Sequence, residues 1–457
     1  MRNRLVFPAL ILLGAACGGG GDRSASGGAD SSRGGDGAAA GRSSDASAAC
    51  APDNGGITLP EGFCASVFAD SLGHARHVAV APNGDVYVNS WSGPYYRDST
   101  PADRPFLVAL RDTNRDGRAD VVQRFGETRQ AKSDGGTGIA LYGGYLYAES
   151  GPRIVRYQMA QGQLAPSGQA EMIVDGFPTG GNHPQHNFVI DSGGALYANM
   201  GSASNACQQR DRTLQSPGRT PCAELETRAG IWRFDARQPG QHFAREARYA
   251  TGIRNAVGLA FNPADGALYA TQHGRDQLTE NWPKKFTVGQ GQELPAEVVV
   301  KVERGADYGW PTCYYDGAQR KLVLAPEYGG DGTQTGQCES KRAPAAAFPA
   351  HWAPNDLLFY RGSQFPERYR GGAFVAFHGS WNRAPGPQGG YQVVFARIGG
   401  GQTVTEYEAF ANGFAGGGQV QPDRAAHRPA GLAEGPDGAL YITDDQRGRV
   451  WKVVVRR

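Results

Sequence analysis

A chain of 457 residues with 67 Gly and 28 Pro, together about a fifth of the total, holds too many turn formers for a helical bundle or a coiled coil. Apolar residues at 40% and aromatics at 10% supply a large core, while a mean hydropathy of −0.48 excludes a multispanning membrane protein. With 46 basic against 44 acidic side chains, the net charge of +2 gives no field that calls for nucleic acid or an anionic surface, so small ligands are the expected partners.

The opening residues, MRNRLVFPALILLGAAC, set two arginines before a short apolar run and small residues ahead of Cys17, the layout of a secretory signal. The apolar run is too short to span a bilayer. Gly14-Ala15-Ala16-Cys17 resembles a bacterial lipobox whose usual Leu sits one place early, at Leu13, so Cys17 is an expected lipid attachment point and an ordinary cleaved signal is the alternative. Residues 18–49 are mostly Gly, Ser, Ala and Asp, a composition that cannot offset its own ordering entropy and so reads as a flexible tether. The expectation is a folded domain over residues 50–457, exported and anchored to a membrane, in the periplasm or at the cell surface. Export permits disulfides, and six cysteines remain after Cys17. Proximity pairs Cys50 with Cys64, Cys207 with Cys222 and Cys313 with Cys338, the simplest of fifteen pairings. No CxxC is present, which argues against a zinc or thioredoxin-like site.

Beyond residue 50 one pattern returns: a Gly-, Asn- or Asp-rich turn, then an apolar residue, an aromatic and further strand residues. It reads PNGDVYVNSW from Pro82, YGGYLYAES from Tyr142, DSGGALYANMGS from Asp191, NPADGALYATQHG from Asn262 and GPDGALYITDDQRG from Gly435, with RGGAFVAFHGSW from Arg370 as a looser sixth copy. Each copy is a hairpin element, and six copies predict an all-β, six-bladed β-propeller; an irregular array of sandwiches is the alternative. A propeller gathers loops from every blade at the ends of its central channel, so the segments flanking each repeat are where chemistry is expected.

In chain order, DTNRDGRAD places Asp112, Asn114, Asp116 and Asp120 at first, third, fifth and ninth positions with Gly117 at the sixth, the spacing of a calcium loop, although Gln123 stands where the closing Glu belongs. GGNHPQHNFVID offers His183 as a proton acceptor at a strand start, with His186 as its neighbour; either imidazole can equally be structural. TGIRNAVGLAFNP sets Arg254 and Asn255 before a strand, where they can bind an anionic ligand or stitch two blades. QHGRDQL offers His273 and, beside it, the Gly274 and Arg275 carbonyls with the Asp276 carboxylate, oxygen donors suited to a hard cation. DYGWP (Tyr308, Trp310) and HGSWNR (Trp381, Asn382, Arg383) can form a flat wall and polar rim for a planar ring or sugar, or pack between blades. His427 and Arg428 precede the last repeat as Arg254 precedes its own, and Arg76 precedes the first. Three such arginines make either a positive ring around the channel mouth or repeat-register salt bridges.

Together, LPEGFCASVFA, HARHVAVAPNGDVYV, GGNHPQHNFVIDSGGALYANMGS, GIRNAVGLAFNP, HGRDQL, DYGWPTC, FPERYRGGAFVAFHGSWNR and RPAGLAEGPDGALYITDD resemble the glucose/sorbosone dehydrogenase family, most closely its L-sorbosone dehydrogenase branch, from about Ile57 to the C-terminus. The resemblance implies a six-bladed propeller holding pyrroloquinoline quinone (PQQ) with Ca²⁺ and oxidising sugars at an aldehyde or hemiacetal carbon. It implies His183 as catalytic base, Arg254 and Asn255 on the cofactor's carboxylate and carbonyl oxygens, Arg428 beside it, and the Gly274 and Arg275 carbonyls on Ca²⁺. Two departures stand out. Asn182 replaces the Asp that precedes the catalytic His in soluble glucose dehydrogenases, and the family's cofactor Lys has no counterpart, Asn382 or Arg383 being substitutes by position only. The absence of CxxCH implies an external electron acceptor. The competing readings are a propeller that binds carbohydrate or protein without redox chemistry and a calcium-dependent sugar lactonase.

Overall fold

The computed structural model describes residues 50–92, 96, 101–131, 133–399, 401–417 and 420–456. The signal, Cys17 and the tether lie outside the described residues. No helix among the described residues is long and apolar enough to cross a membrane.

Six antiparallel sheets surround a channel, one per sequence repeat. Blade 1 is Ala75–Val80, Val86–Ser90, Leu107–Arg111 and Val121–Phe125; blade 2 is Ile139–Tyr142, Tyr145–Glu149, Ile154–Gln158 and Glu171–Asp175, with Gln241–His242 added in parallel at its edge. Blade 3 is Phe188–Ile190, Ala195–Met200, Gly230–Asp235 and Arg248–Thr251; blade 4 is Leu259–Phe261, Leu268–Gln272, Glu297–Val302 and Ala346–Phe348. Blade 5 is Pro354–Phe359, Ala373–Phe377, Gln392–Ala396 and Glu408–Ala411. Blade 6 takes Pro429–Glu434, Leu440–Asp444 and Val450–Val455 from the C-terminus and its outer strand, Phe63–Ala69, from the start of the domain, with Phe63 opposite Val455. That exchange closes the ring by pairing a strand from the start of the domain with the last strand of the chain.

Each repeat supplies the first hairpin turn and the second strand of its blade. The turn needs a positive φ, which Gly194 supplies at 88° in blade 3. Two residues beyond each repeat's aromatic stand the buried Asn89, Glu149, Asn199, Thr271, Ala376 and Thr443. The five polar ones reach the next blade: Asn89 Nδ2 donates to Gly138 O, Glu149 Oε1 accepts from His186 N, Asn199 Oδ1 accepts from Ala256 N, Thr271 Oγ1 donates to Pro354 O, and Thr443 Oγ1 donates to Arg76 O. Apolar packing fills the rest of the space between blades, as where Phe63, Phe365, Tyr369, Phe374 and Phe410 meet between blades 5 and 6.

All three disulfides pair as proximity suggests: Cys50–Cys64, Cys207–Cys222 and Cys313–Cys338. The second closes a long segment between the second and third strands of blade 3. Helices Leu278–Asn281 and Val288–Glu293 occupy the same connection in blade 4. Antiparallel order places both connections at the end of the channel where first strands begin, and there the candidate residues collect.

Candidate functional site

Four residues beyond the same aromatic, each second strand has emerged at that mouth; the six positions are Trp91, Gly151, Gly201, His273, His378 and Asp445. Gly201 explains how His183 enters. A Cβ there would lie 2.5 Å from His183 Cβ and 2.9 Å from Asn255 Oδ1, so only glycine lets the His183 segment cross the strand end. His183 Nδ1 donates to Ser202 O (2.9 Å), which fixes the neutral tautomer with its lone pair on Nε2. Burial, then the positive Arg254 and the neighbouring His273, hold this imidazole well below the usual histidine range, so it is neutral at pH 7. Asn182 does not orient it; its amide donates to Asp211 (3.3 Å), and the Ser202 carbonyl takes the orienting role.

Arg254 is buried and makes four bonds: Nε to Asn205 O (3.1 Å), Nη1 to Gly274 O (2.8 Å), and Nη2 to Asn205 Oδ1 (3.0 Å) and Asp276 Oδ2 (3.1 Å). One Nη1 N–H remains, so it presents a single donor rather than a bidentate fork. Asp276 also accepts from Arg212 Nη2 (2.9 Å) and Asn382 Nδ2 (2.9 Å). Burial would raise this carboxyl, but Arg254 and Arg212 win and hold it well below its ordinary value. Asn255 is buried, and its Oδ1 accepts from Asn199 (3.1 Å). His273 Nε2 donates to Pro354 O (3.1 Å), and burial with Arg254 pushes it down to about 3.

Across the mouth, Asp445 accepts from His378 Nε2 (2.7 Å), Arg76 Nη1 and the Tyr96 hydroxyl. Burial pushes His378 down to about 4, with Arg428 adding to the fall. Arg428 donates to His378 O (3.1 Å) and Gly379 O (2.6 Å). The loop whose Gly379 carbonyl receives Arg428 also carries Asn382, which donates to Asp276, so the two halves are joined. Three buried arginines therefore converge, and each is also a stitch between loops; the two readings of them coexist.

Other candidates fall elsewhere. The Arg275 side chain lies in a buried ion pair with Glu327 (2.6 Å), while its carbonyl belongs to the same turn as the Gly274 carbonyl that receives Arg254. Trp310 packs against Cys207 and Cys222, and its Nε1 donates to Asn205 O (3.1 Å), so it supports the site from beneath. Arg383 turns away to Glu293 and the Gln292 and Ala350 carbonyls, leaving Asn382 as the member of HGSWNR that joins Asp276. His186 and His427 are held by Glu149 and Asp444. The structure does not bring Asp112, Asn114, Asp116 and Asp120 together as a cage. They sit on a hairpin at the outer edge of blade 1, where Asp112 accepts from the Asp116 and Gly117 N–H groups, Asn114 from Asp116 N, and Asp120 from Thr113. Among the described residues no three or more His, Cys, Asp or Glu are grouped to hold a metal ion. Away from the mouth, a hollow of about 420 Å³ between the first strands is lined by apolar residues such as Leu259, Phe261 and Leu357 together with His77, Asn187, Asp356, Arg361 and Glu434.

Missed in the sequence were Asn205, Arg212 and Asp445, together with Glu297, whose carboxyl accepts from Gly274 N (2.8 Å) and Ala353 N (3.1 Å) and is pushed up to about 7 by burial. Aligning the repeats on their aromatics would have exposed His378 and Asp445 at the position of His273. No such register exists for Asn205 or Arg212, which lie on an insertion.

The TrAA12-like family model matches residues 57–456, and the chain belongs to that family. It is 31% identical over 216 residues to an uncharacterized protein of Borreliella burgdorferi, a match that covers 46% of this chain and 49% of that protein. It is 21% identical over 338 residues to the pyrroloquinoline quinone-dependent sugar dehydrogenase of Hypocrea jecorina, covering 69% of this chain and 73% of that one. In structure it is similar to the holo form of the PQQ domain of pyranose dehydrogenase from Coprinopsis cinerea, with a TM-score of 0.68, 20% identity, and 87% of this chain and 97% of that chain covered. That likeness shows the propeller fold.

Proposed function

We propose that the protein is a PQQ-dependent sugar dehydrogenase that oxidises an aldose or a sugar aldehyde of the sorbosone type. The observation that carries this reading is the convergence, at one mouth, of Arg76, Arg254 and Arg428 with a neutral imidazole whose Nε2 is a bare acceptor. A planar tricarboxylate suits this donor set, since arginine N–H groups and Asn255 can meet its carboxylates and carbonyls. Bound there, PQQ would supply the hydride acceptor that no side chain can provide. The chain's own part is to hold that group, admit the sugar, and take the hydroxyl proton on His183 Nε2 as negative charge grows on the sugar oxygen. The depressed basicity of His183 keeps the acceptor form populated at neutral pH.

Calcium is the second proposed ligand, held by the Gly274 and Arg275 carbonyls. The Gly274 carbonyl already receives Arg254, and both Asp276 oxygens accept hydrogen bonds, so the chain alone offers few free oxygens. Stable Ca²⁺ binding here would need oxygens from the cofactor as well. The reading places the protein outside the cytoplasm, lipid-anchored through Cys17, passing electrons to an external acceptor; the signal-like N-terminus, the three disulfides and the lack of CxxCH support it.

The test is a titration of the metal-free protein with PQQ, with and without Ca²⁺, followed by absorbance and then by dye reduction with a panel of aldoses and ketoaldehydes. Stoichiometric binding with sugar-dependent bleaching is the expected result. No binding at micromolar PQQ would leave the propeller without this function.

A further inference from the structure

Asn205 lies between the second and third strands of blade 3, two residues before the loop closed by Cys207–Cys222, and is fully buried. All of its polar atoms are engaged. The main-chain N–H donates to Asp211 Oδ1 (2.9 Å), and the carbonyl accepts from Arg254 Nε and Trp310 Nε1, both at 3.1 Å. Its side chain pairs with the backbone of Asp276 as a strand would: Nδ2 donates to Asp276 O (2.9 Å) and Oδ1 accepts from Asp276 N (2.8 Å). Oδ1 also accepts from Arg254 Nη2 (3.0 Å). Because Oδ1 faces two donors and Nδ2 a carbonyl, the amide has a single consistent orientation.

Two of the four bonds that hold Arg254 therefore end on Asn205, and the same amide fixes the turn carrying Asp276. A guanidinium on a flexible stem gives up rotamer entropy when it binds a ligand; a partner that immobilises it beforehand removes that loss from the binding step. The brace is itself rigid, since Cys207 is two residues away in a disulfide against which Trp310 packs.

We infer that Asn205 is a positioning residue for the anionic cofactor, setting the direction in which Arg254 presents its remaining N–H and Asp276 its carboxylate. This rests on the proposal that the mouth binds PQQ. Asn205 acts through Arg254, so the two residues form one unit.

The experiment is a double-mutant cycle read by PQQ binding to the cofactor-free, full-length protein, with tryptophan quenching as the signal and thermal melting as the fold control. Asn205→Ala is expected to weaken PQQ binding at least about tenfold. Arg254→Ala is expected to weaken it further, and the double variant to bind no worse than Arg254→Ala alone, since linked residues are non-additive. Should Asn205→Ala fail to fold, Asn205→Asp keeps the volume and the acceptor for Arg254 but loses the donor to Asp276 O and adds a charge that competes with the cofactor's carboxylates, and the same tenfold loss is expected. Wild-type binding with unchanged affinity in the folded variant, or additive losses in the double variant, would overturn the inference alone. Failure of the wild type to bind PQQ would overturn the functional reading and this inference with it.

Discussion

The two halves of the mouth are each organised around one carboxylate, but they use it differently. On the side of blades 3 and 4, Asp276 shares itself among Arg254, Arg212 and Asn382 and keeps some exposure to solvent. On the side of blades 5, 6 and 1, Asp445 is 1% exposed and locks His378, Arg76 and Tyr96 together. The imidazole with an open Nε2, His183, belongs to the first half; the second half holds an imidazole already committed to a carboxylate. Under the proposed function the contrast would put proton transfer in the first half, where His183 keeps an open Nε2, while arginines of both halves, Arg254 and Arg428, share the anchoring; a base must exchange protons, whereas an anchor gains from being fixed.

The largest effect that would test this division is at His183. His183→Gln should lower turnover at least about a hundredfold while leaving PQQ affinity nearly unchanged, as removal of a general base does. His378→Gln should do the reverse, disturbing affinity and stability more than the chemical step. Equal losses of turnover in both would erase the distinction.

Next in size is Arg428→Ala, expected to weaken PQQ binding about tenfold or more as a charge-assisted anchor is lost. Its bonds to the His378 and Gly379 carbonyls make some loss of melting temperature expected as well. Loss of fold without any folded fraction that binds would return Arg428 to the stitching role alone.

A smaller effect concerns pH. Burial and Arg254 hold His183 below its usual range, so the acid limb of kcat/KM should fall below pH 6.5, the ordinary histidine value. Stability carries the same sign. His273 and His378, pushed down to about 3 and about 4, bind fewer protons folded than unfolded, so they favour the fold above pH 6.5 and that contribution is lost as pH falls toward 4. Glu297, pushed up to about 7, opposes them, losing stability as pH rises from its ordinary value near 4.5. Melting curves from pH 7 to pH 4 should therefore decline for the wild type and decline less for His378→Gln. An unchanged slope would show that this imidazole is not held neutral.

How much of this was legible in the sequence follows from the repeat. Hairpin turn and second strand recur as one unit, so the blade count, the channel and the location of the mouth could be read directly, as could the disulfides, whose partners are near in sequence. His183, Arg254, Asn255, His273 and Arg428 flank repeats and were found for that reason. Arg212 lies inside the Cys207–Cys222 loop and Asn205 two residues before it, on an irregular segment outside the repeat, and Asp445 reads as one more turn aspartate until the aromatics are aligned. The calcium-like DTNRDGRAD belongs to a different part of the fold. Its side chains close a hairpin at the outer edge of blade 1 by accepting from backbone N–H groups, away from the mouth.

Trp381 offers the smallest effect and the finest test of the first half. Core packing and a wall for a planar ligand were both open to it from sequence, and they are separated by exposure: Trp310 is buried against a disulfide, whereas Trp381 is 56% exposed. Its neighbours are fixed, Ser380 Oγ donating to His351 O (2.9 Å) and Asn382 Nδ2 to Asp276 Oδ1 (2.9 Å), so a large apolar ring stands out from a held loop beside the Asp276 cluster. Trp381→Ala should leave stability within about 0.5 kcal/mol, since little packing is lost, and leave PQQ affinity unchanged. If the ring stacks on the sugar, KM should rise roughly two- to tenfold with kcat preserved, the size of an aromatic contact made equally in ground and transition states. A KM equal to that of the wild type would make Trp381 an ordinary surface residue and move the substrate wall to the other side of the mouth, where His74 and Tyr96 stack at 3.7 Å.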